Sequence, residues 1–132
     1  MSLLALIIGA VMESTGSIGE AIGSAEDDFY LLARCVEAEA GNQDQTGKRL
    51  VAAVILNRVE SSAWPDTIEG VITQERQFEV YPNSMNKAPS EETVEACLME
   101  LEERTDEEII YFASSGYIGA PAYKHGNHYF GY

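Results

Sequence analysis

The sequence predicts a mainly α domain, α+β only through one small extended element. Three observations lead there. Apolar residues recur at helical spacing in three stretches between residues 29 and 104. Residues that start or stop helices bracket each stretch. Ile109 to Ala113 is a short β-branched and aromatic run that reads as a strand or extended segment. The 132 residues fit one domain, and with 45% hydrophobic residues the chain can bury a core without a disulfide or metal staple.

The elements follow in order. Leu3 to Met12 is an uncharged apolar run of about ten residues, half the roughly 20 needed to span a bilayer. No basic residue precedes Arg34, so the charged start of a signal peptide is missing. The run reads as a structural helix or as the remnant of a signal or anchor. Residues 13 to 25 are small, polar and Gly-rich and read as a connection. Residues 1–25 thus form an N-terminal apolar helix with its connection, and residues 26–132 form the main domain.

Asp27 and Asp28 are suitable N-caps for a helix from about Phe29 to Ala40, which Gly41 and Asn42 stop. A second helix is expected from about Lys48 to Glu60. It is apolar on nearly every side through Leu56, the pattern of a buried central helix. Asn57 and Arg58 at its end then need hydrogen-bonding partners. A short helix is expected over Thr67 to Thr73. Gln74 to Pro89 reads as an irregular surface segment. Ser90 caps a third long helix that reaches about Arg104. The tail from Gly116 to Tyr132 is rich in Gly, Tyr and His, without helical period. The segment from Tyr111 to Tyr132 has too few aliphatic residues for a core of its own, so it must lie against the helices.

Charge excludes some functions. The chain carries 22 acidic and 8 basic residues, a net charge of -14. Nucleic acid requires a basic footprint and is not expected as a partner. Electrostatic docking on an anionic membrane is disfavoured as well, and no membrane span is expected. Nine acids fall between Glu91 and Glu108 and read as a solvated face, on which a protein partner could dock. Cys35 and Cys97 each lie in a helical pattern and read as buried thiols or as one bridge.

One side chain stands out. At about 100° per residue, Glu39 projects with Leu32, Cys35 and Val36 on the apolar face of its helix. Glu37 projects the other way, toward Arg34 and solvent. Glu39 also lies in the last helical turn, where burial and the helix dipole both disfavour a carboxylate. Such a setting suits a general acid. A buried carboxyl satisfied by Arg58 or a backbone amide would give the same pattern.

Several motifs resemble one family. Leu31-Leu-Ala-Arg34 with Ala38-Glu39-Ala40, then Val51-Ala-Ala-Val-Ile-Leu-Asn-Arg-Val59, is similar to the spore-cortex-lytic cell wall hydrolases of SleB/CwlJ type. Trp64-Pro65-Asp66 with the following short helix, Gln77-Phe78, Tyr111-Phe112 and Gly126-Asn127-His128-Tyr-Phe130 match further signatures in order. The resemblance spans about residues 28 to 130. Gly41-Asn42-Gln43 stands where the family usually carries an Arg-Gly-Glu-like triplet, and Ser114-Ser-Gly-Tyr117 replaces its Asn-Pro and Trp-bearing stretch.

The resemblance implies a lysozyme-like single domain. It implies cleavage of peptidoglycan glycan strands between N-acetylmuramic acid and N-acetylglucosamine, with Glu39 as catalytic residue. The place of action would be the cell wall or spore cortex. Gln77, Phe78, Tyr81, Tyr111 and Tyr123 are candidates for sugar contacts through stacking and hydrogen bonds. The resemblance places Asn127 and His128 near the cleft. No second carboxylate matches the claim of Glu39, and a lytic transglycosylase needs only one, so that reaction is favoured over hydrolysis. No cofactor is expected. His125 and His128 lack the Glu of a helical metalloprotease motif, so no metal is expected either. Two other readings stand open: a metal-dependent amidase or peptidase of the wall, and a non-catalytic peptidoglycan-binding module.

Overall fold

The computed structural model describes residues 18–74, 87–114 and 121–132, with side chains from residue 25 onward. Four helices and three strands follow in order: α1 (Ile18–Ala40), α2 (Gln45–Glu60), α3 (Ile68–Thr73), α4 (Glu91–Glu102), β1 (Tyr111–Ala113), β2 (Tyr123–His125) and β3 (His128–Gly131). The apolar run from Leu3 to Met12 lies outside the described residues.

The central helix is α2. Twelve of its residues are buried, from Gly47 to Val59, and it packs mainly against α4 and α1. Asp44 starts it as N-cap, accepting a hydrogen bond from the Gly47 amide at 2.7 Å. Leu32, Cys35 and Val36 from α1, Val51 to Leu56 from α2, Ile68 and Ile72 from α3 and Cys97 from α4 form one core with Ile109 and Phe130. Full burial of each large aliphatic or aromatic side chain contributes roughly 1.5–3 kcal/mol. Both cysteines are buried, free thiols.

Asn57 and the Nε of Arg58 are hydrogen-bonded at the end of α2. The Asn57 side-chain amide donates to the carbonyls of Asp106 (2.9 Å) and Ile109 (2.7 Å), and its oxygen accepts from Arg104 (2.6 Å). Arg58 Nε donates to the Ile110 carbonyl at 2.7 Å. The end of α2 thus holds the chain leading into β1.

Helix α1 begins earlier than expected. It runs unbroken through residues 18–25, where a Gly-rich connection is expected, and across the expected boundary at residue 25. Asp27 and Asp28 lie within it and do not cap it. Each glycine weakens a helix by about 1 kcal/mol, yet no proline interrupts the stretch and a long following helix carries it. The stop at Ala40 is as expected.

The acidic stretch is not wholly solvated. Glu100 is fully buried. It accepts from Arg49 Nε at 3.0 Å and from the Thr105 amide and hydroxyl at 2.6 and 2.8 Å. Asp106 accepts from Tyr123 Oη at 2.8 Å. The remaining seven acids of the stretch are exposed.

The tail folds back as an antiparallel sheet of order β1-β3-β2. Phe112 pairs with Phe130 and Ala113 with Tyr129; across β3, Tyr123 pairs with Phe130 and His125 with His128. Alternation puts Phe112, Tyr123, His128 and Phe130 on the inner face. Tyr111, Lys124 and Tyr129 take the outer face. The β2–β3 turn holds Gly126 at φ 58°. Among the described residues, no helix is long and apolar enough to cross a membrane.

Candidate active site

The C-terminal turn of α1 opens into a cleft of about 550 Å³. Glu39 lines it from α1, and Asn127 and His128 line it from the sheet. Three site residues expected from the sequence therefore share one cavity. The Glu39 charge lies close enough to Cys35 to help push that thiol up, after burial, the larger cause. Cys35 is the neighbour that helical spacing assigns to Glu39.

His128 is 4% exposed. Its ring meets Phe112 edge-on with centroids 5.4 Å apart, and Phe130 at 6.1 Å. Burial in this aromatic setting holds the imidazole below its usual pKa, so the neutral form is favoured. Its Nδ1 has no hydrogen-bond partner among the described residues.

The hairpin is fixed to the loop after α1. Gln43 Oε1 accepts from the Asn127 amide at 3.0 Å, and Asp44 Oδ1 lies 2.8 Å from His125 Nε2. A Cβ on Gly126 would collide with Gln43 Oε1. Only glycine takes this positive φ without strain while letting the glutamine approach so closely. His125 thus serves the hairpin seam. Among the described residues, no group of three His, Cys, Asp or Glu side chains is gathered for a metal.

Glu37 overturns its expectation. It is buried, 8% exposed, and does not pair with Arg34 in solvent. Its Oε1 accepts from the Ser90 amide at 2.6 Å and the Thr93 hydroxyl at 3.3 Å, at the start of α4. Burial pushes the Glu37 carboxyl up. The Ser90 backbone and hydroxyl, the Lys48 charge and Thr93 together outweigh that and hold it below its usual value. Glu37 also lines the cleft that Glu39 lines. The expectation of a single carboxylate in the site fails with it.

Other expected contacts fall elsewhere. Tyr111 is exposed on the outer face of the sheet, edge-on to Trp64 at 5.9 Å and 5.7 Å from Arg58 Cζ. It does not line the cleft. Tyr123 is hydrogen-bonded to Asp106 and packed on Phe130 at 5.7 Å. Gln77, Phe78 and Tyr81 lie outside the described residues. Sequence reasoning missed Gln43, Lys87 and Ser114 as cleft residues. For Gln43 a signal existed, since it stands where the resembling family departs.

Fold and cleft together define a class: a lysozyme-like helical domain whose long helix ends, at a glutamate, in a groove walled by a small sheet. The chain belongs to the cell wall hydrolase family, whose model matches residues 42–131, beginning just past Glu39. It is 34% identical over 117 residues to the spore cortex-lytic enzyme of Bacillus subtilis strain 168, covering 82% of this chain and 38% of that protein. Against the spore cortex-lytic enzyme of Oceanobacillus iheyensis it is 42% identical over 64 residues, 48% of this chain and 23% of that one. The chain thus spans well under half of these curated relatives. The crystal structure of the catalytic domain of the Bacillus cereus SleB protein matches with a TM-score of 0.72 and 28% identity, over 81% of this chain and 91% of that one. The catalytic domain of the germination-specific lytic transglycosylase SleB from Bacillus anthracis matches with a TM-score of 0.70 and 28% identity, over 80% and 93%.

Proposed function

We propose that this chain cleaves peptidoglycan glycan strands between N-acetylmuramic acid and N-acetylglucosamine, as a lytic transglycosylase with Glu39 as acid and base. The observation that carries the reading is the placement of Glu39 in the cleft opposite Asn127 and His128. The names of the relatives, spore cortex-lytic enzyme and lytic transglycosylase, support the substrate and the reaction class.

The protonated Glu39 carboxyl gives its proton to the glycosidic oxygen as the bond from the muramoyl anomeric carbon to that oxygen breaks. The resulting carboxylate takes the proton of the muramoyl 6-hydroxyl, whose oxygen bonds to the same anomeric carbon. The products are a 1,6-anhydro-muramoyl end and a free sugar hydroxyl, and no water is consumed. Asn127 and the neutral His128 serve as hydrogen-bonding contacts to the sugar. Glu37 is ill suited to activate water, because donors hold its Oε1 and its carboxyl is a weak base. The transglycosylase reading thus survives a second carboxylate in the cleft.

Glu39→Gln should keep the fold and lose at least about 100-fold in activity, the scale for removal of a general acid. Mass spectrometry of the soluble products should find anhydro ends. Reducing ends would mean that water attacks. Full activity of the variant would remove Glu39 from the mechanism.

A further inference from the structure

Among the described residues two carboxylates border the cleft, and their surroundings differ. Glu39 leaves the last turn of α1 beside the apolar face. Glu37 is clamped at the start of α4 through its Oε1, by the Ser90 amide and by Thr93, itself fully buried. Its Oε2 lies over Gly41, where a Cβ would collide with it. Gly41 also lines the cleft, so its missing side chain leaves the second oxygen of Glu37 room at the cavity wall. Donors at one oxygen and the nearby Lys48 charge keep the carboxylate ionised despite its burial, in a setting with little water to screen it.

Cleavage of a glycosidic bond builds positive charge on the sugar ring at the anomeric carbon and ring oxygen. A fixed charge aimed at developing charge is worth most where water is excluded and nothing need reorganise. We propose that Glu37 is the second carboxylate of this site, a fixed negative charge that stabilises the cationic sugar ring while Glu39 transfers the protons. It forms no bond to the sugar and exchanges no proton. The inference rests on the reading of Glu39 given above.

Glu37→Gln tests it, because the amide oxygen can still accept from Ser90 and Thr93 while the charge is gone. On soluble glycan strands kcat should fall at least about tenfold, at the modest end of what removing one stabilising group costs, with KM changed less than about threefold. The second readout is binding of two uncleavable N-acetylglucosamine oligomers, one ending in an iminosugar with a protonated ring nitrogen, the other in a neutral lactam of the same size. The wild type should prefer the cationic compound, Glu37→Gln should lose that preference by at least about tenfold, and Glu37→Asp should restore part of it. An affinity ratio is unaffected by the folded fraction, so it decides the matter even if Glu37→Gln melts early. A wild type without the preference, or a Glu37→Gln variant that keeps both the preference and its kcat, overturns the proposal and leaves Glu37 as a helix cap. Glu39→Gln measured alongside separates the two ideas: activity in that variant removes Glu39 as the acid, while the inhibitor ratio still reports on Glu37 alone.

Discussion

Two residues apart on one helix, Glu37 and Glu39 show what a single helix can and cannot reveal. Apolar spacing around Leu32, Cys35 and Val36 turned Glu39 inward, and the cleft contains it. The same wheel sent Glu37 toward solvent, because a wheel represents an isolated helix. What buries Glu37 is the start of α4, more than fifty residues later in the chain. A polar pocket built from Ser90 and Thr93 leaves no hydrophobic pattern to read. His128 was legible only through the resemblance, and its aromatic setting only through the sheet register. That setting makes a prediction. Burial lowers the folded pKa of His128 below its usual 6.5, so the unfolded chain binds more protons as the pH falls below 6.5. The stabilising contribution of the neutral imidazole is complete above 6.5 and is lost as the pH falls through the lowered value. Melting temperatures measured from pH 7.5 down to 5 should decline in the wild type and decline less in His128→Gln. Identical pH dependences would mean that the ring is not buried as described.

Among the elements, α2 was the most legible, since a helix apolar on all sides has one place to go. The sheet was the least. Its strands are three and four residues long, too short for alternation to stand out among Gly, Tyr and His. Pairing makes the pattern plain afterward, with Phe112, Tyr123 and Phe130 inward and Lys124 and Tyr129 outward. The start of α1 was hidden by its glycines, which lower helix propensity without forbidding a helix. The β2–β3 turn carries its own test. Gly126→Ala places a Cβ at positive φ, costing roughly 1–2 kcal/mol, and drives it against Gln43. The melting temperature should drop by roughly 5–10 °C, and activity should fall further than the loss of folded protein explains, because the hairpin carries Asn127 and His128. A variant that matches the wild type in both melt and activity would show that the turn does not set the cleft wall.

For the whole molecule, composition and charge argued against nucleic acid and pointed to a single core, but they could not say how the two walls of the cleft meet. The seam that joins them ties Gln43 to Asn127 and Asp44 to His125. Its partners stand 84 and 81 residues apart in the chain. Contacts so distant are entropically late, since the intervening chain must be gathered before they form. Helices α1 and α2, by contrast, are neighbours joined by a four-residue loop. Refolding should therefore run in two stages that different probes separate. Far-UV circular dichroism should recover first, as the helices form, and cleavage activity should return later with the hairpin. Coincident recovery of the two signals would mean that the hairpin docks within the same cooperative step. If the lag is found, the protein passes through a compact, helical state each time it folds, and a chain caught there has only one wall of its cleft.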